Sequence, residues 1–141
     1  MRKTILTLLA CAFALGAGGA IAAPPMVIVD EAKVVREEPP PHGNIGMSTA
    51  YRITDGVPGR TFEFRKRALH KGAAIGLHPI AHDEIYYVVS GTGEVTSDGV
   101  SQTVTAGMSA YFYNGATVGI RQTGDEPLML IIAYPLPAPA K

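Results

Sequence analysis

Two histidines and a glutamate, His78, His82 and Glu84, fall within seven residues. Imidazole and carboxylate are the side chains that hold divalent transition metals or move protons near neutral pH. The flanking residues are β-prone, and Pro79-Ile80-Ala81 separates the two histidines. If those three residues form a hairpin connection, His78 and His82 stand opposite each other with Cβ atoms roughly 4.5–5.5 Å apart. Glu84, two residues beyond His82, shares that face by the period of two. Two imidazoles and one carboxylate suit Fe(II), Mn(II), Zn(II) or Ni(II) with positions left open for substrate. Two other readings of these residues stand beside this one: a metal-free pocket built from the same polar groups, and solvated residues near a turn with structural roles only.

Tyr86 has the parity of Glu84, so its hydroxyl is placed to orient a ligand or donate a proton; the alternative is a buried tyrosine that supports the core. Arg121 has the chemistry to clamp a carboxylate, against the commoner fate of an exposed edge charge. Arg65-Lys66-Arg67 with Lys71 is the one basic cluster, on an alternating strand that turns half of it to water. His42 and His70 have no carboxylate pattern near them and receive no role.

The segment Gly72 to Gly91 resembles the first motif of the cupin superfamily, Gly-x5-His-x-His-x3,4-Glu-x6-Gly. Gly72, His78, Glu84 and Gly91 fall on their positions, and Ile80 occupies that of the second histidine. The second motif, Gly-x5-Pro-x-Gly-x2-His-x3-Asn, is matched in spacing by Gly107 and Gly115. Tyr113 stands for its proline, Val118 for its histidine and Gln122 for its asparagine. The resemblance spans about Leu69 to Ile132 and implies an all-β fold: a single-domain, antiparallel jelly-roll barrel of the double-stranded β-helix type. Full cupin sites hold a metal with three histidines and one glutamate. Here His78 and Glu84 keep family positions, and His82, two residues from Ile80, is the replacement donor.

The expectation is therefore a divalent metal (Fe, Mn, Zn or Ni) on His78, His82 and Glu84. Tyr86 and Tyr113 would assist with protons on a small substrate of sugar or phenolic type. The resemblance leaves open whether such an enzyme is a dioxygenase, an isomerase or a lyase. The alternative is a metal-free cupin that binds a small ligand without chemistry. Ile80 and Val118 favour the second reading, and His82 the first. Small single-domain cupins commonly dimerise, so a homodimer is expected.

The elements that must position these groups are short strands. Ser48–Ile53, Thr61–Arg65, Ala74–His78, Glu84–Val89, Gly93–Ser97, Gln102–Thr105, Ala110–Tyr113, Thr117–Gln122 and Leu128–Tyr134 are β-prone runs divided by signals such as Ser97-Asp98-Gly99. Turn punctuation at this spacing argues for a sandwich or barrel. Residues 23–47 read as an extended arm, in which Val27–Val29 and Val34-Val35 are suited to pairing with a sheet edge or crossing to a partner. Residues 48–134 form the barrel, and the Pro-rich residues 135–141 make a tail.

Arg2 and Lys3 precede an uncharged run that ends in Ala20-Ile21-Ala22, the pattern of a cleavable signal peptide over residues 1–22. Its removal predicts a periplasmic or secreted chain of 119 residues without stable membrane insertion. Cys11, the sole cysteine, leaves with the leader, which excludes thiol chemistry and cysteine-bound zinc. The whole chain of 141 residues balances 12 Lys+Arg against 12 Asp+Glu. That balance argues against a nucleic-acid partner and leaves a small molecule as the expected ligand.

Overall fold

The computed structural model describes residues 22–138, so the expected leader lies outside the described residues except for Ala22. Ten strands follow one 3-10 turn at Glu31–Lys33. They are β1 (Val35–Glu38), β2 (Ser48–Tyr51), β3 (Phe62–Leu69), β4 (Ala74–Pro79), β5 (Glu84–Ser90), β6 (Thr92–Ser97), β7 (Val100–Thr105), β8 (Ser109–Phe112), β9 (Thr117–Gln122) and β10 (Leu128–Pro135). They form a six-stranded sheet in the order β1-β2-β3-β10-β5-β8 and a four-stranded sheet in the order β4-β9-β6-β7. All pairings are antiparallel. The core lies between the sheets, where Leu69, Val88, Val118, Leu128 and Leu130 lose essentially all contact with water.

The expected strands form, Thr117–Gln122 with its expected ends and the others with shifted ones. β3 runs on to Leu69 because β10 pairs with it along its whole length, from Leu128↔Leu69 to Pro135↔Phe62. The β6–β7 hairpin turns at Asp98 (φ 48°) and Gly99 (φ 81°), the left-handed pair that a tight two-residue turn requires. Asp98 also accepts the Thr117 N–H at 2.9 Å, which ties the hairpin to β9.

One expected connection does not form. Pro79-Ile80-Ala81 does not close a hairpin, because β4 pairs with β9 and β5 pairs with β10 and β8. The chain crosses instead from one sheet to the other. The Ile80 N–H donates to the Ala116 carbonyl, and Gly115 donates to the carbonyl of Ile80. His78 is thus opposite Val118 rather than His82.

The arm divides into two parts. Residues 27–29 are in no strand and are largely exposed, whereas β1 pairs with β2 of the same chain from Val35↔Tyr51 to Glu38↔Ser48. That pairing delivers Glu38 to two guanidiniums. Both its oxygens accept from Arg52 Nη2, at 2.9 and 2.8 Å, and Oε1 accepts a further bond from Arg67 at 2.9 Å. Burial raises the Glu38 pKa, but these partners outweigh it and hold the carboxyl below its usual range. Glu38→Gln leaves Arg67 a buried cation without its counter-ion. The expected cost is about 2 kcal/mol, discounted because Glu38 is partly exposed, or roughly 8 °C in a thermal melt. A melt within 2 °C of wild type would show that the arm's ion pairs carry no stability.

Candidate functional site

Strand alternation builds the site. On β5, Glu84, Tyr86 and Val88 turn inward, while Ile85, Tyr87 and Val89 turn outward. On β3, Glu63, Arg65, Arg67 and Leu69 share the inner side, and Lys66 takes the opposite parity. Ile132 of β10 pairs with Arg65 on one flank and with Tyr86 on the other, so these three residues form one row across the sheet. From the opposite sheet β4 contributes Ile75, His78 and Pro79, and the crossing segment adds Ile80, Ala81 and His82.

Together they enclose a cavity of about 270 Å³, also lined by Pro41, His42, Glu84, Tyr86, Ile132 and Tyr134, with Arg65 and Arg67 on the β3 side. Its volume is at the small end for organic ligands.

Glu84 is the sole carboxylate on the lining, and it is 5% exposed. Burial pushes its pKa up to about 7, against the charge of Arg65 and the hydrogen-bonding hydroxyl of Tyr86, which both favour the ionised form. The His82 ring stacks on Tyr134 with centroids 4.4 Å apart and places Nε2 3.6 Å from Glu84 Oε2. That Nε2 is buried and has no hydrogen-bond partner. Tyr86 packs edge-on against Phe112, and burial together with the neighbouring Glu84 raises its hydroxyl pKa well above the usual value. It is therefore a neutral hydroxyl at any working pH. Glu84 can hold or release a proton near neutrality, and Arg65 can stabilise negative charge that develops beside it.

His78, His82, Glu84 and Tyr86 all reach this cavity, but not as a metal centre. The His78 ring lies flat on His42, with centroids 3.5 Å apart and planes 6° apart, and its Nδ1 hydrogen-bonds the Gly76 carbonyl at 2.8 Å. Ile80 and Val118 are buried apolar side chains, as their types require. Among the described residues no three of His, Cys, Asp and Glu assemble to hold an ion. The two donors that do converge, His82 and Glu84, share their space with two guanidiniums, which disfavours a divalent cation. The expected His78–His82–Glu84 metal set does not fit this geometry. The cause is the missing hairpin: His78 stands on β4 opposite Val118 and against His42, while His82 lies in the segment that crosses between the sheets.

Tyr113 is also displaced from its expected role. It is 73% exposed, stands outside the cavity, and packs against Tyr111 at 5.1 Å. Phe112 takes the inward position, so both neighbours turn out. Tyr111 in turn donates to Asp83, whose other oxygen accepts the Asn114 N–H. Arg121 is exposed on the far side of β9. Gln122, in place of the motif asparagine, is buried and structural: it accepts the Gly72 N–H and donates to the carbonyls of Gly124 and Glu126.

Three basic residues of the cavity, Arg65, Arg67 and His42, had no assigned site role in the sequence reading. Arg65 and Arg67 were visible as one half of an alternating strand, and they share parity with the buried Leu69. His42 reaches the site on the segment Pro40 to Gly46, which folds over β4 through the Ile45↔Ala74 bridge. Gly76 makes that crossing possible, because a Cβ there would meet the His42 carbonyl oxygen at 1.7 Å. A glycine within a β-prone run, with Pro-Pro-Pro-His-Gly upstream, was the available signal.

Comparison with known proteins agrees with this architecture. A family model described as the cupin domain matches residues 65–134. A search of curated protein sequences finds no match. Among solved structures, a predicted oxalate decarboxylase from Thermotoga maritima superposes with a TM-score of 0.66 at 20% identity, over 79% of this chain and 100% of that one. The polyketide cyclase RemF from Streptomyces resistomycificus gives a TM-score of 0.67 at 16% identity, over 82% and 83%. A cupin-superfamily sugar phosphate isomerase from Silicibacter pomeroyi gives 0.58 at 19% identity, over 64% and 60%. The motif register, the two antiparallel sheets and the family match together identify residues 65–134 as a cupin domain, and the cavity is the interior of its barrel.

Proposed function

We propose that the chain is a small-molecule enzyme whose barrel transfers protons through Glu84 without a metal centre built from His78, His82 and Glu84. One observation carries the reading: a buried carboxyl with a pKa of about 7 faces a small cavity, with His82 Nε2 3.6 Å away and Arg65 beside it. In the reaction class that suits this arrangement, Glu84 takes a proton from a carbon next to a carbonyl. The electron pair moves onto the carbonyl oxygen, near the Arg65 charge, and the proton returns at the same or a neighbouring atom. No co-reactant is needed. Neighbours named as a polyketide cyclase, a sugar phosphate isomerase and a predicted oxalate decarboxylase lend support, since those names denote chemistry on small oxygen-rich molecules.

The test is solvent deuterium exchange, followed by NMR, into a panel of small ketones and aldoses with chelator-treated protein. Exchange should fall about 100-fold or more in Glu84→Gln. Equal exchange in the variant contradicts the reading. So does activity that appears only with near-stoichiometric metal, detected by elemental analysis and lost in His82→Ala.

We further propose that residues 1–22 are removed on export, which terminal sequencing of the secreted or periplasmic protein checks. The chain is proposed to dimerise through the outer face of the six-stranded sheet, where Phe64, Ile85, Tyr87 and Tyr111 are exposed close together. Sedimentation should give twice the chain mass, falling to one on Tyr87→Lys.

A further inference from the structure

Four strands end the two sheets, β1 and β8 in the larger and β4 and β7 in the smaller. β1 presents Arg36, Glu37 and Glu38, and charge along an edge opposes the addition of a further strand. β4 is crossed by the segment Pro40 to Gly46, through the Ile45↔Ala74 bridge and the Gly76 N–H bonded to the Pro41 carbonyl. β7 and β8 are left. They follow one another in the chain, joined by Ala106-Gly107-Met108, and no charged residue occurs from 99 to 120.

Between these two edges lies a cleft of about 250 Å³, whose walls include Val95, Val100 and Val104 on one side and Met108, Ala110 and Phe112 on the other. Val100 has the parity of Val104, which is 5% exposed, yet it is itself 64% exposed. The inner face of β7 is thus uncovered at this end. An open apolar face beside two uncharged edges is the setting in which an extended segment adds to a sheet.

The arm is the second observation. Residues 22–29 carry no charge, and Met26-Val27-Ile28-Val29 is an apolar run that joins no strand. Met26 and Ile28, on one face of an extended segment, are 87% and 86% exposed. The arm is too short to fill the cleft of its own chain. A strand added beyond β8 lies one spacing past the full width of the six-stranded sheet, about 29 Å from β1. The 3-10 turn before β1 spans about 6 Å, and the stretch from Met26 to Asp30 at most about 17 Å.

We propose that the arm of a second copy fills the cleft. Residues 26–29 lie along the free edge of β8 as an added strand, with Met26 and Ile28 turned inward against Val100 and Phe112. Each copy gives an arm and receives one, so the pair closes on a two-fold axis. Tyr111 borders both the cleft and the exposed patch on the outer face of the larger sheet. The arm therefore extends the dimer contact proposed above, and the proposal rests on the reading that the chain dimerises.

The experiment is sedimentation of the intact protein and two variants over a range of concentrations. Both variants alter side chains that are exposed in the single chain, so the fold is kept. Ile28→Lys and Val100→Glu should each weaken self-association ten-fold or more, since each takes a charge into an apolar cleft. Mixed in equal amounts, they should associate at least about five-fold more tightly than either variant alone. In the mixed pair the new ammonium of one copy meets the new carboxylate of the other, and the second arm and cleft are unaltered. The proposal is overturned if Ile28→Lys associates like wild type, or if the mixture does not recover. If Ile28→Lys dimerises like wild type while Tyr87→Lys is monomeric, the outer-face contact stands without the arm. If Ile28→Lys and Val100→Glu weaken a dimer that Tyr87→Lys leaves intact, the arm contact stands and the outer-face contact falls. A monomeric wild type overturns both.

Discussion

Gly76→Ala is expected to lower the melting temperature by about 10 °C and to uncover the cavity. The added Cβ would stand 1.7 Å from the His42 carbonyl oxygen and 2.9 Å from its carbonyl carbon, and both are backbone atoms that cannot rotate away. The segment Pro40 to Gly46 must therefore lift off β4. Lifting it separates the His42–His78 stack and breaks the Ile45↔Ala74 bridge. It also removes Pro41 and His42 from the cavity wall. Overpacking of this severity costs about 3 kcal/mol, which corresponds to that fall in a domain of this size. A calorimetric melt within 2 °C of wild type would show that the segment does not rest on β4.

Glu84→Gln is expected to remove a dependence of stability on pH, an effect as large as the first. In the folded protein burial raises this carboxyl from about 4.5 to about 7. Between those values the folded state keeps a proton that the unfolded chain releases, so stability falls as pH rises through this window. The penalty is absent below about pH 4.5 and complete above about pH 7, where it amounts to about 3 kcal/mol. Glutamine cannot ionise. The variant should therefore gain about 3 kcal/mol on wild type between pH 4 and pH 9, whatever its stability at pH 4. The other shifted carboxylates, Glu38, Asp55 and Asp83, move in the opposite direction, the first two through their arginine partners and Asp83 through the Tyr111 hydroxyl and the Asn114 N–H, and act in both proteins alike. Urea unfolding at several pH values checks this, and a constant difference between the two proteins would mean that Glu84 ionises freely.

The strands were legible because their punctuation is local. Glycine, proline and aspartate turns set them apart, and Thr117–Gln122 emerged with its expected ends. The barrel was legible because Gly72, His78, Glu84 and Gly91 keep the spacing of a known motif. Gly91 shows why spacing of that kind persists: its φ is 84°, and a Cβ would lie 2.4 Å from the Pro127 carbonyl oxygen. Sheet membership was not legible. A three-residue connection between two strands has the length of a hairpin loop, and nothing within Pro79-Ile80-Ala81 reveals that Ile80 bonds to Ala116 and Gly115 instead. That one difference left His78 on β4 and His82 in the crossing segment instead of face to face across a hairpin. Arg65 and Arg67 share one parity of an alternating strand, but the sequence does not tell which half of the basic cluster turns to water. Their counter-ions Glu38 and Glu63 come from the arm and from the same strand, and only the folded chain brings them together.

The central claim is that Glu84 is a buried proton-transfer group facing the barrel cavity. Its most direct test is the titration of the Glu84 side-chain carboxyl by carbon NMR in the chelator-treated protein. A midpoint near pH 7 is the predicted result. A midpoint near 4.5, the value of a carboxylate open to water, would contradict it.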